Sequence, residues 1–304
     1  MKIHQLSLAE VRVRLAFQGL RIPCGPFNVS IHSGLAPLAW VLHKIYADFP
    51  IADESAYVDF EVKLEAPNYL RKFVRKQVSF SCDGRIPFKP LPIGQAFPMM
   101  EWGLNWVISS HAHSYLVIHA AVVEKNGRAL ILAADPGSGK STLCAALVHR
   151  GWRLLSDELA LVDLVSGQVL PIARPISLKN ASIGVVGALG ADVELSPVCD
   201  DTAKGSIAHM KPPAASVGSI ALSAKPALVV FPKYAKGTHL FSEKVGSAQA
   251  FLEIARHTFN FSVLAGDGFD AIGRLIDQVH ASRISYSSFD QVVPEIERLW
   301  QETE

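Results

Sequence analysis

The stretch "HAAVVEKNGRALILAADPGSGKSTL", residues 119–143, decides the fold. Its second half reads as a strand, a glycine loop and the start of a helix. The apolar run "RALILAA" leads into Ala134, Asp135, Pro136, Gly137, Ser138, Gly139, Lys140, Ser141 and Thr142. A G-x-x-x-x-G-K-[ST] loop between strand and helix cradles phosphate with consecutive backbone N–H groups. Ala134 stands at the usual first glycine, where the strand leaves its sheet, and a methyl group there need not block the cradle. Gly137 and Gly139 stand where the chain must wrap a phosphate and where Cβ atoms would obstruct it. Lys140 supplies a cation, Ser141 a hydroxyl for Mg2+, and the helix its positive N-terminal end. Pro136 removes one N–H and biases Asp135 toward extended geometry. Residues Asp135 to Thr142 are therefore the expected nucleotide-binding loop.

Phosphoryl transfer to a hydroxyl also needs a carboxylate near Mg2+ and a base. "WRLLSDELAL" offers Asp157 and Glu158 at the end of an apolar strand. Adjacent strand residues point to opposite faces, so the pair can divide these roles only if the strand ends there. With Ser141, Asp157 is the expected metal-side group, although the sequence alone leaves open which carboxylate is base and which is ligand. The bland alternative is an ordinary acidic pair at a strand end. Upstream, His119 lies between "YLVI" and "AAVV". Taken alone, a histidine in such a strand is more often a satisfied core residue than a functional one.

The whole chain sets wider bounds. It has 304 residues, 49% hydrophobic and 19% charged, enough for two lobes, or one large domain with an elaborate extension, and for a substantial core. Its 29 basic and 28 acidic side chains leave a net charge of +1, which gives no global reason to expect nucleic acid or an anionic membrane as partner. Glu10, Arg12 and Arg14 interrupt what would be the apolar core of a secretory signal. No apolar run approaches membrane-spanning length. The four cysteines lie far apart without a C-x-x-C pair, and reduced thiols in a cytoplasmic protein are expected.

Patterning predicts an α/β protein with a smaller N-terminal α+β lobe, residues 1–114, and a nucleotide-binding domain, residues 115–304. In the lobe, Leu38, Val41, Leu42, Ile45 and Phe49 mark a helix, and "YVDFEVKLE" alternates as a strand. "RKQVSFSCDGRIPF" predicts a strand, an Asp83-Gly84 turn and a second short strand, and "FPMMEWGLNWVISSHAHSY" a helix. Beyond the loop, "RLLSDELALVDL", "VLPIARPISL", "ALVVFPKY" and "RISYS" read as strands between C-terminal helices. The small-residue stretch 180–218 reads as a mobile loop or excursion. No internal repeat is present.

His119, the loop and the acidic pair together resemble the catalytic domain of the HPr kinase/phosphorylase family. "HRGWRLLSDE" has that family's shape, with Arg150-Gly151 closing a helix and Arg153 before the acids. The HprK-related kinase A subgroup is the nearest resemblance, through "EWGLNW", "RPISLKN", "AHMKPP", "VVFPKY" and "FNFSVL", so the likeness extends over most of the chain. It implies a phosphoenolpyruvate-carboxykinase-like P-loop core, with ATP and Mg2+ as cofactors. The implied activity is a kinase for a serine hydroxyl on a protein or peptide. Lys140 would hold the nucleotide phosphates, Ser141 and a carboxylate Mg2+, Asp157 and Glu158 would do acid–base work, and His119 would sit near the transferred phosphate. Two departures stand out. The second acid is Glu158 rather than aspartate, and "SIGVVGALGADVEL" only loosely imitates the family's second signature, which puts phosphorolysis in doubt.

Arg174, Lys179, His209 and Lys211 are further candidates for contact with phosphate or acceptor, each with a solvated loop charge as the equal alternative. "RKFVRK", with Arg71, Lys72, Arg75 and Lys76, reads first as a solvated edge strand and second as a dock for an acidic peptide. The competing functions are a small-molecule kinase on the same core and a non-catalytic nucleotide-binding module that recruits a partner. A homo-oligomer is compatible with all three.

Overall fold

The structure, a computed structural model, describes residues 1–53 and 55–303. In chain order its first elements are α1 (Leu8–Val13), β1 (Leu20–Cys24), β2 (Phe27–His32), α2 (Ala36–Ile45), β3 (Phe60–Glu65), β4 (Gln77–Cys82), β5 (Leu91–Pro92) and α3 (Ala96–His111). There follow β6 (Tyr115–Ile118), β7 (Ala120–Lys125), β8 (Arg128–Ala133), α4 (Lys140–His149), β9 (Arg153–Ser156), β10 (Ala160–Asp163) and β11 (Val169–Leu170). Next come β12 (Ile176–Lys179), α5 (Ala181–Gly187), β13 (Cys199–Thr202), β14 (Gly205–Met210) and α6 (Ala214–Gly218). The chain ends with β15 (Lys225–Tyr234), β16 (Phe241–Lys244), α7 (Ser247–His257), α8 (Phe261–Leu264), α9 (Gly266–Asp277), β17 (His280–Tyr286) and α10 (Phe289–Gln301).

These elements form two compact units, Met1–Ile108 with Ser177–Gly218, and Ser109–Ile176 with Ser219–Glu304. The division is not a single cut near residue 114, because 177–218 belongs with the N-terminal residues. That segment also departs from the expected loop: β12, β14 and β13 form a sheet, with α5 between β12 and β13 in sequence and α6 after β14. Ile207, Ala208, His209 and Met210 are all buried, so β14 has no polar alternation to announce it.

In the first unit, β1 to β5 form one sheet in sequence order. Strand β3 follows its pattern, with Phe60, Val62 and Leu64 inward and Glu61, Lys63 and Glu65 outward. Helix α3 packs Gly103 so closely on Phe80 that a Cβ there would lie 2.2 Å from the ring. The expected second strand after Asp83-Gly84 is absent: Cys82 and Arg85 make a single bridge, and Pro87 lacks the N–H a ladder needs. "RKFVRK" is not an edge strand either, for Leu70–Lys72 is a 3-10 turn ahead of β4.

In the second unit, a six-stranded sheet has the order β16-β17-β15-β8-β7-β9. Strands β8, β15 and β17 are mutually parallel, and both neighbours of β8 are strands. Helices α4 and α10 pack on this sheet, and Ala129 to Ala133 of β8 are all fully buried. Such burial on both faces explains why the strand reads as a continuous apolar run. A small sheet, β11-β10-β6, joins a core of Leu116, Ile118, Val122, Ile131, Val229, Ile254 and Ile272.

Two stretches expected as single strands are broken. "YLVIHAAVV" divides at His119 into β6 and β7, and "RLLSDELALVDL" divides at 157–159 into β9 and β10. In each case the chain passes from one sheet to the other, and β10 pairs with β6 while β9 pairs with β7. "VLPIARPISL" is likewise only β11 and β12, with residues 171–175 outside any strand. Among the described residues, no helix is long and apolar enough to cross a membrane.

Candidate functional site

The loop after β8 is set at the ends of the parallel strands, the place where α/β sheets bind ligands. Gly137 and Gly139 both have left-handed backbone, with φ of +87° and +94°. Their surroundings differ. A Cβ on Gly137 would meet nothing within 4 Å, whereas one on Gly139 would lie 2.8 Å from the Tyr286 hydroxyl and 3.0 Å from Tyr234 Cβ. The Tyr234 N–H donates to the Ser138 carbonyl at 2.9 Å, so the end of β15 holds the loop in place. Buried Lys140 donates to the Ala134 carbonyl and, at 3.5 Å, to that of Asp135. The Ser138 hydroxyl is enclosed and makes no hydrogen bond among the described residues. A cradle with glycine where only glycine fits, an inward cation and an unengaged hydroxyl fits phosphate.

Register brings the other groups to the same edge. Ala120 pairs with Ala133, so His119 leaves β7 beside Ala134, the first loop residue. Val122 pairs with Ser156, so Asp157 and Glu158 leave β9 at that edge too. The His119 backbone is fixed from outside the sheet, since its N–H donates to the His257 carbonyl at 2.7 Å. Its ring packs 5.5 Å from that of Phe259, and Nε2 lies 3.2 Å from Glu158 Oε2. Both side chains are partly exposed. Asp157 instead is buried, and its charge, after burial itself, helps hold the Cys144 thiol well above its ordinary range. Cys144 and Ser141 are three apart on α4 and share a face. The two acids therefore part: Asp157 lies toward the helix that carries Ser141, and Glu158 toward His119.

Sequence reading missed several neighbours. Arg256, near the end of α7, forms ion pairs with Asp135 at 3.3 Å and with Glu253 at 3.2 Å. His257 is buried, with Nε2 making no hydrogen bond among the described residues. Burial pushes its pKa down, with Arg256 adding to the effect. Tyr286, buried beside Gly139, has its phenol pushed up by burial and by Tyr234. No motif marks these residues, because they close amphipathic elements remote in sequence from the loop.

The remaining candidates are placed as follows. Arg174 is buried in the second unit, just before β12. Lys179, His209 and Lys211 belong to the first unit. Lys179 ends β12, where its N–H donates to the Ser182 hydroxyl at 2.7 Å. His209 is buried with its ring edge-on to Phe97 at 4.9 Å. Lys211 pairs with Asp48 at 3.1 Å and Glu194 at 3.3 Å. Burial opposes its charge, yet Asp48 and Glu194 outweigh that and hold its pKa above the ordinary lysine value. Among the described residues no group of three or more His, Cys, Asp or Glu side chains could hold a metal ion. A hard cation held by Ser141, one carboxylate and bound phosphates needs no such group.

Residues 95–173 match the family described as "SynChlorMet cassette protein ScmC", a segment that contains His119, the loop and both acids. Two curated relatives, each named HPr kinase/phosphorylase, come from two strains of Treponema pallidum. Each is 33% identical over 64 residues, 21% of this chain and 20% of the relative. The matched stretch thus spans about a fifth of the length of these relatives. Among solved structures, the Hpr(Ser) kinase/phosphatase from Coxiella burnetii aligns over 61% of this chain and 98% of its own, at 12% identity and a TM-score of 0.28. The chain is thus similar in sequence to HPr kinase/phosphorylase over a short segment.

Proposed function

We propose that this protein is an ATP- and Mg2+-dependent kinase that transfers the γ-phosphate to a serine hydroxyl of a protein or peptide. The observation that carries the proposal is the His119–Glu158 pair, 3.2 Å apart, on strand ends beside the glycine loop. The loop N–H groups, Lys140, Ser141 and Asp157 would hold the nucleotide and its metal, which together supply the phosphoryl group and neutralise its charge. Lys140 moves from the Ala134 and Asp135 carbonyls onto phosphate. Glu158 takes the proton of the acceptor hydroxyl, while His119 holds its carboxylate in place and can share the proton. Serine as acceptor, and a protein or peptide as its bearer, rest on the sequence resemblance to HPr kinase/phosphorylase.

Incubation with γ-labelled ATP, Mg2+ and seryl peptides or small alcohols tests the reading. Label on a peptide serine is expected, and is to be lost in the Glu158→Gln protein. Label on small alcohols alone would make the chain a small-molecule kinase. Nucleotide binding without transfer to any acceptor would leave a partner-recruiting module.

A further inference from the structure

The first unit carries an uncovered amphipathic turn ahead of β4. From Tyr69 to Val74 the backbone closes on itself: Lys72 N–H donates to the Tyr69 carbonyl, and Phe73 and Val74 N–H groups donate to that of Leu70. The Asn68 side chain accepts from Arg71 N–H at 3.0 Å at one end, and Arg75, with φ of +44°, stops the turn at the other. The Tyr69 and Phe73 rings meet at 5.2 Å and edge-on, and Leu70 and Val74 follow each of them in the chain. All four are more than half exposed, from 53% for Val74 to 76% for Tyr69.

Cations alternate with these apolar pairs along the chain. Arg71 and Lys72 follow Tyr69 and Leu70, Arg75 and Lys76 follow Phe73 and Val74, and none of the four makes an ion pair or side-chain hydrogen bond among the described residues. No acidic residue occurs between Glu65 and Asp83 to balance them. An ordered turn with four exposed apolar side chains and four uncompensated cations differs from an ordinary solvated loop in both respects.

We infer that this turn docks an acidic peptide segment with interspersed apolar residues, the recognition segment of the acceptor. The inference rests on the peptide-kinase reading for the acceptor's identity, while the binding itself needs no catalysis. A second copy of the chain is disfavoured, because a two-fold contact would set the same cations against each other. Single-stranded nucleic acid is the competing occupant, because Tyr69 and Phe73 offer aromatic faces. The peptide is favoured because Leu70 and Val74 add exposed aliphatic surface that apolar side chains cover and bases do not, and the chain's net charge of +1 adds no general attraction to nucleic acid.

Fluorescence anisotropy with the full chain and a short labelled peptide of repeated Leu-Glu-Glu-Phe tests this. Saturable binding is expected, weakened about tenfold either by Lys72→Glu with Lys76→Glu or by Tyr69→Ser with Phe73→Ser. All four positions are exposed, and circular dichroism checks that the variants fold. A Ser-for-apolar peptide and a Gln-for-Glu peptide are each expected to bind much more weakly. Lys140→Ala is expected to bind the peptide unchanged, which separates a failed dock from a failed nucleotide site. The inference is overturned by no saturable binding, by equal binding of either control peptide, or by tighter binding to a single-stranded oligonucleotide or to vesicles rich in phosphatidylserine.

Discussion

Two groups of cations in this chain live under opposite conditions. Lys140 is buried at the head of α4 and hydrogen-bonded to carbonyls of its own loop, within reach of fixed strand ends. Lys72 and Lys76 stand in solvent on a short turn with no partner among the described residues. A charge held in a low-dielectric, preorganised cradle acts strongly on a small anion and costs little reorganisation. A solvated charge contributes to encounter and selectivity, and only weakly to energy. The first arrangement suits chemistry and the second suits recognition.

The largest expected effect breaks the comparison at its buried end. Lys140→Ala should lower phosphoryl transfer by about a thousandfold, as loss of one preorganised charge does in other sites, with the melting temperature nearly unchanged. Parallel rate and melting measurements check this, and unchanged turnover would remove the loop from the chemistry.

Next in size is the contrast between the two loop glycines. Gly139→Ala meets both a left-handed backbone and the Tyr286 and Tyr234 side chains. It should cost about 2–4 kcal/mol in loop geometry, seen as loss of nucleotide binding. Gly137→Ala meets only the backbone penalty, about 1–2 kcal/mol, and should bind nucleotide measurably. Isothermal titration of both variants checks the order, and an inverted order would show that crowding by the tyrosines does not shape the loop.

The place of the candidate loop between β8 and α4 was legible because its pattern is local. A strand, two glycines, a lysine and a helix must follow one another in sequence to make a cradle. The separation of Asp157 from Glu158 was legible only as a condition, that the strand end there, which it does. The break at His119 left no turn residue to read, because the chain there changes sheets between apolar runs, while Asp157 alone marks the break at 157–159. Residues 180–218 misled for the opposite reason: elements of four to seven residues carry too few positions to display a period. Arg256 and His257 join the loop only through tertiary packing, so nothing in their own segment could announce them.

A smaller effect sharpens the contrast between buried and exposed groups through pH. The buried His257 ring has a pKa below its ordinary 6.5 because burial penalises its charged form. The unfolded chain therefore binds the proton first as pH falls, and this group's share of stability is full above about 6.5 and lost below it. His32 shifts in the same direction, chiefly through burial. Melting temperature should fall between pH 7 and 5, and His257→Gln should flatten part of that slope. An identical slope in the variant would mean His257 is solvated in the folded protein.

The central claim is that Glu158, held by His119, is the base of a phosphoryl transfer, while Asp157 serves the metal side. Single-turnover transfer of labelled phosphate from ATP to a seryl peptide, with nucleotide affinity measured on the same samples, tests it most directly. Glu158→Gln should slow transfer about a hundredfold or more and leave nucleotide affinity within about twofold. Asp157→Asn should raise the Mg2+ concentration needed for half-maximal rate. A Glu158→Gln protein that transfers at the wild-type rate, or one that loses nucleotide affinity while Asp157→Asn loses only the rate, would contradict the assignment.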